Sequence, residues 1–192
     1  MTEASGIAVA GIADRERVVA TMVAAFERDP VLRFLFPSDE DYPRHAAAFF
    51  GHLFDKRVGK GAIWTADGGL AAAIWEPPGE DEPVASASKE STAIAELPGD
   101  ARERMRRYDD AVHAAFPSRP YWYLGVLGTH PAAAGRRLGR TVMAEGLRRA
   151  AADGLPAYLE TSTPGNVDLY RGAGWEVVAE VNDPLPIWIM QQ

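Results

Sequence analysis

A chain of 192 residues that is 47% hydrophobic has the size of one domain and can fill a core without covalent staples. It contains no cysteine, which excludes disulfides, thiolate zinc sites and a cysteine nucleophile. The formal charge of -7 argues against nucleic acid as the main partner, and no stretch approaches the roughly 20 apolar residues of a membrane span. Met1 to Ala13 lacks the basic start and long apolar run of a signal peptide. A cytoplasmic protein without membrane attachment is expected.

In chain order, Ile7 to Ile12 alternates weakly and is expected to be a first strand. Asp14 is placed to cap a helix with Val18, Val19, Met22, Val23 and Phe26 on one face, which Asp29-Pro30 stops. Val31 to Phe36 is very apolar and ends at Pro37. Pro43 suits the first turn of a second amphipathic helix, with Phe49, Phe50, Leu53 and Phe54, running to about Val58. Gly61 to Thr65 and Leu70 to Trp75 flank Asp67-Gly68-Gly69 and read as a hairpin. Glu80 to Thr92 is polar and loop-like.

Asp100 with Glu103 has the form of a capping box for a helix carrying Met105, Tyr108, Val112 and Phe116 on one stripe. Strands over Tyr121 to Leu127 and Ala157 to Ser162 bracket a helix from Arg136 to Ala152. A short helix over Asn166 to Gly172 and strands over Trp175 to Val181 and Leu185 to Met190 complete the chain. The order predicts an α/β (α+β) domain with a mixed central sheet flanked by helices. Residues 1–192 form one domain on this reading, with a helical insert at about 84–116.

Charge is uneven. From Pro131 to Ala150 there are five arginines (Arg136, Arg137, Arg140, Arg148, Arg149) against Glu145 alone, a local +4 on an acidic chain. A solvated helix face would account for that by itself. The island, however, sits where a strand turns into a helix, and a helix N-terminus presents free amides and partial positive charge to phosphate. Ala132, Ala133, Ala134, Gly135 and Gly139 are small enough to let a ligand approach the backbone.

The residues Leu127-Gly128-Thr129-His130-Pro131 followed by Ala134-Gly135-Arg136-Arg137-Leu138-Gly139 resemble the acetyl-CoA motif of the GNAT N-acetyltransferase superfamily. Tyr158-Leu159-Glu160-Thr161-Ser162-Thr163-Pro164-Gly165-Asn166, then Leu169-Tyr170 and Gly174-Trp175, look like the second half of that pattern. Tyr121 to Leu124 and Gly154 to Ser162 are most similar to puromycin N-acetyltransferase and related actinobacterial small-molecule acetyltransferases. The resemblance is specific from Tyr121 to about Val178. It implies a GNAT fold with a mostly antiparallel sheet of about six or seven strands, acetyl-CoA as cosubstrate, and no metal.

It further implies that Leu127, Gly128 and Thr129 form a splayed strand whose backbone binds the pantetheine. Ala134, Gly135, Arg136, Arg137, Leu138, Gly139 and Arg140 then grip the pyrophosphate. Two positions depart from the pattern: Ala134 stands where the family has Gln or Arg, and Arg137 replaces its middle glycine. Arg137 either contacts phosphate or partly fills the site. Asn166 is expected to cap the short helix and bond the pantetheine. Thr163 occupies the place, seven residues before the tyrosine, of an asparagine found in many relatives.

Acetyl transfer from a thioester needs a neutral amine, a polarised carbonyl and a proton for the departing sulfur. The resemblance implies that Tyr170 is the general acid. A tyrosine hydroxyl is neutral at pH 7 and can donate. Glu160 is the candidate base, acting directly or through a water, because a carboxylate in an apolar strand must be paired or functional. Alternation places Tyr158, Glu160 and Ser162 on one face and Ala157, Leu159 and Thr161 on the other. A salt bridge from Glu160 to Arg171 or Arg148 is the alternative. His113 and His130 are further candidate bases.

The expected acceptor is a primary amine of a small molecule, such as an antibiotic or metabolite, attacking directly in a ternary complex. Glu90, Glu96, Asp109 and Asp110 in the insert could attract a cationic amine, or be solvated helix faces. The alternatives are a degenerate CoA-binding or regulatory domain, motivated by Ala134 and Arg137, and a protein N-acetyltransferase. The chain is expected to act as a monomer or homodimer.

Overall fold

The computed structural model describes residues 6–79 and 92–192 and arranges them around a seven-stranded sheet of order β1-β2-β3-β4-β5-β7-β6. The strands are β1 (Ile7–Val9), β2 (Ile63–Ala66), β3 (Ala71–Glu76), β4 (Trp122–Thr129), β5 (Ala157–Thr161), β6 (Glu176–Val181) and β7 (Ile187–Gln191). Every neighbouring pair is antiparallel except β4 and β5, which run parallel. The mixed, mostly antiparallel sheet expected from the sequence is present. The expected loop and the start of the insert, residues 80–91, lie outside the described residues.

The helices are α1 (Arg15–Ala25), α2 (Pro30–Leu35), α3 (Tyr42–Arg57), α4 (Thr92–Ala95), α5 (Gly99–Ala115), α6 (Leu138–Ala152) and α7 (Pro164–Arg171). They divide by the face of the sheet they cover. On one side, Val18, Met22, Phe50 and Phe54 of α1 and α3 pack with Leu32, Ile63, Ile74 and Val126. On the other, Leu138, Val142 and Met143 of α6 and Tyr170 of α7 pack with Trp75, Trp122 and Leu159. Strand alternation produces this split: Ala72 and Ile74 face α1 and α3, whereas Ala71, Ala73 and Trp75 face α6.

Several local expectations are corrected. Asp14 sits at the N-cap of α1 but makes no capping bond; its carboxylate instead accepts from the Gly11 amide at 2.8 Å and pairs with Arg17. The Asp100–Glu103 capping box does not form. The helix starts at Gly99 with Pro98 as cap, and the two carboxylates are taken by Arg104 and Arg106. Helix α6 begins at Leu138, two residues later than expected. Asp29 does more than end α1: its carboxylate accepts from the amides of Val31 at 2.9 Å and Leu32 at 3.0 Å, starting α2 with Pro30 in its first turn.

Gly146 lets α6 lie close against the sheet. A Cβ built there would lie 2.0 Å from the Trp75 indole, which is fully buried. Helix propensity alone favours Gly146→Ala by about 1 kcal/mol. The buried indole has nowhere to move, and such overpacking costs about 1–3 kcal/mol or more. The variant is expected to be destabilised by about 2 kcal/mol, read as a lower urea midpoint; an unchanged or higher midpoint would show that the indole can yield.

Candidate active site

Strands β4 and β5 are paired only at Trp122–Ala157 and Tyr123–Tyr158. Beyond those pairs the strands part. Gly125 forms a bulge in β4, because Trp75 is opposite Leu124 while Ile74 is already opposite Val126. β4 then follows β3 as far as Thr129, and β5 follows β7 as far as Thr161. A wedge therefore opens at the carboxyl ends of two parallel strands, the position where open α/β sheets bind ligands. A cavity of about 920 Å³ fills the wedge and extends beneath α3 and α5.

Glu160 projects from β5 into this cavity on the face it shares with Tyr158. Its Oε1 accepts hydrogen bonds from Tyr123 at 2.7 Å and Tyr108 at 3.3 Å, while its Oε2 is buried without a partner. Burial pushes the carboxyl up to about 7, the two tyrosines opposing the shift. Arg171 and Arg148 do not pair with it: they hold Asp168 and Glu145. The structural ion pair weighed for Glu160 is thereby excluded.

Tyr170 lies on α7, 8% exposed, with Trp175 edge-on at 6.1 Å between ring centroids, and it lines the same cavity. Burial, then Glu160, raises its hydroxyl well above the ordinary tyrosine range, so it keeps its proton at neutral pH. Leu127 of β4 and Asn166 of α7 also line the cavity. Asn166 is the third residue of α7 and not its cap; its Nδ2 donates to Thr161 Oγ1 at 3.4 Å. Thr163 holds the cap position, its amide donating to the same hydroxyl at 3.3 Å.

The turn after β4 is held by His130, whose Nδ1 accepts from the Ala132 amide at 3.2 Å. Neither His130 nor the exposed His113 lines the cavity. Gly135 takes φ +78° and Arg137 φ +60°, a left-handed conformation that costs a non-glycine residue about 1–2 kcal/mol. Arg137 is thus the N-cap of α6 in the backbone shape a glycine adopts freely. Arg136 bonds Asp67 of the β2–β3 turn at 2.5 Å. The Leu138 side chain is 2% exposed and belongs to the core, so only its backbone meets the turn.

Gly139 lets the start of α6 approach β4, since a Cβ there would sit 3.0 Å from Thr129 Oγ1. Gly128 is needed for packing of a different kind: its Cβ would meet Met22 Sδ at 2.5 Å. Ala134, Gly135, Arg137 and Arg140 are exposed, and the first amides of α6, Leu138 to Arg140, have no partner within the helix. The sequence reading did not single out Tyr108 and Tyr123 as supports of Glu160. Their hydroxyls were the available signal, because a buried tyrosine needs a partner where phenylalanine does not.

An open, mostly antiparallel sheet that parts between its two parallel strands, with Glu160 and Tyr170 lining the cavity in that wedge, is the arrangement of an acyl-transfer fold. Residues 16–175 match the sequence model of the Acetyltransferase (GNAT) family, and the chain belongs to that family: it is a GNAT acetyltransferase. Solved structures share the fold at low identity. An acetyltransferase from Corynebacterium glutamicum, described as histone acetyltransferase HPA2 and related acetyltransferase, is 22% identical with a TM-score of 0.67, over 97% of this chain and 94% of that one. The Drosophila melanogaster polyamine N-acetyltransferase is 14% identical with a TM-score of 0.68, over 98% and 99%. The Thermoplasma acidophilum paia N-acetyltransferase in complex with coenzyme A is 10% identical with a TM-score of 0.63, over 98% of each chain.

Proposed function

We propose that this chain is a single-domain, acetyl-CoA-dependent N-acetyltransferase that acetylates a primary amine of a small molecule by direct attack within a ternary complex. The observation that carries the reading is the pair formed by the open Oε2 of Glu160 and the protonated hydroxyl of Tyr170 in one cavity. The residues present fit the cosubstrate. The β4 backbone past Gly125 has no strand partner on its β5 side, and the free amides of α6 suit a pyrophosphate. Leu127, Gly128, Thr129, Thr163 and Asn166 would hold the pantetheine, and Ala134 to Arg140 the phosphates. Among relatives of this fold, one is described as acting on polyamines and one is a complex with coenzyme A.

Bound acetyl-CoA supplies an activated acetyl thioester. Glu160 Oε2, directly or through one water, takes the proton that the acceptor amine must lose. With a carboxyl near 7 it does so without being a permanently ionised group in an apolar cavity. Tyr123 and Tyr108 fix Oε1 and so aim Oε2. Tyr170 Oη gives a proton to the departing sulfur. Backbone amides of β4 polarise the carbonyl.

The test is release of free thiol from acetyl-CoA with a panel of small amines, alongside calorimetry with acetyl-CoA alone. Saturable binding and amine-dependent thiol release are expected. Absence of binding heat at high micromolar acetyl-CoA would overturn the reading and leave a degenerate domain.

A further inference from the structure

The cavity holds a carboxyl, that of Asp109, which the transfer reaction does not use. Asp109 of α5 lines it with Glu160 and with Asp29, the cap of α2. The Asp29 carboxylate is occupied by the amides of Val31 and Leu32. Asp109 has no hydrogen-bond or ion-pair partner among the described residues. Burial, then Glu160 and Asp110, push its carboxyl up to about 7, with no cation opposing them.

Two unpartnered groups point to a ligand in the same space. Glu160 Oε2 is buried and unbonded, and Ser162, 6% exposed, has an Oγ with no partner. The cavity wall also carries Lys56, Arg57, Arg102 and Arg106; Arg57 is tied to Glu76 and Arg106 to Glu103, and none of the four acts on the Asp109 carboxyl. Of the other acidic residues the sequence raised, Asp110 and Glu96 are exposed and do not line the cavity, and Glu90 lies outside the described residues.

We infer that Asp109 forms a second cation subsite, so that the acceptor is a small diamine whose one nitrogen is acetylated beside Glu160 while the other, still charged, is held by Asp109. This rests on the acetyltransferase reading above. The new N–C bond forms as the C–S bond breaks; the amine proton passes to Glu160 and the sulfur receives one from Tyr170. The product keeps a single cation.

The experiment measures kcat/KM for putrescine and cadaverine against butylamine and pentylamine, with the wild type, Asp109→Asn and Asp110→Asn. The diamines should be preferred by roughly 10- to 100-fold, the range set by one charged hydrogen bond. Asp109→Asn should bring the diamine-to-monoamine ratio close to one, whereas Asp110→Asn should preserve it. A wild-type ratio near one, or a ratio that survives Asp109→Asn, overturns the subsite. If acetyl-CoA binds but only amines without a second charge are acetylated, the subsite fails and the enzyme reading stands. If acetyl-CoA does not bind at all, both fail together.

Discussion

Glu160→Gln is expected to lower kcat by about 10²- to 10³-fold, the usual weight of a positioned general base, and to stabilise the protein at the same time. The activity of the wild type should rise as the pH passes through about 7, where Glu160 loses its proton. Asp109 also titrates near 7, so the assignment depends on loss of that limb in the Glu160 variant. The sign of the stability effect follows from the raised carboxyl. Between its ordinary 4.5 and about 7 the folded state holds a proton that the unfolded chain has released, so stability falls as pH rises through that window. Above it the deficit is constant.

Glutamine removes the deficit while still accepting from Tyr123. The gain should be on the order of 3 kcal/mol at pH 8 and vanish at pH 4, measured by urea unfolding at both values. A variant that keeps full turnover, or that gains stability equally at both pH values, contradicts the role.

Tyr170→Phe should lower kcat by about 10²-fold with little change in KM for acetyl-CoA. Its hydroxyl has no hydrogen-bond partner among the described residues, and the ring contact with Trp175 survives the change. Stability should therefore move by less than about 1 kcal/mol. That separates the residue from a packing role, because loss of packing would lower the unfolding midpoint and leave kcat nearly intact. Thiol release under saturating substrates and a urea curve decide between the two; an unchanged rate removes Tyr170 from the chemistry.

Much of the fold was legible because its signals are local. Apolar periodicity located α1, α3 and α5, and Asp67-Gly68-Gly69 marked the β2–β3 hairpin. Glu160 stood out because a carboxylate in an apolar strand needs a reason. The misplaced details are those where the partner that the local pattern offered lost to another. Asp100 and Glu103 have the spacing of a capping box, yet arginines on the same helix take them. Arg136, expected at the phosphates, also pairs with Asp67, 69 positions away, a partner that no local pattern announces. The convergence of Tyr108 and Tyr123 on Glu160 needs the bulge at Gly125 and the seating of α5, neither of which leaves a mark on sequence periodicity.

The parting of β4 and β5 also bears on solubility. An unpaired row of backbone amides and carbonyls on the rim of a sheet invites another chain to add a strand. Here the unpaired stretch of β4 lies in the middle of the sheet, flanked by α1 and α6 and away from the outer edges. The true outer strands are protected in other ways: β1 has only three residues, and β6 carries Glu176 and Glu180. The molecule thus keeps a stretch of backbone free to bond in the interior of its sheet instead of on its rim.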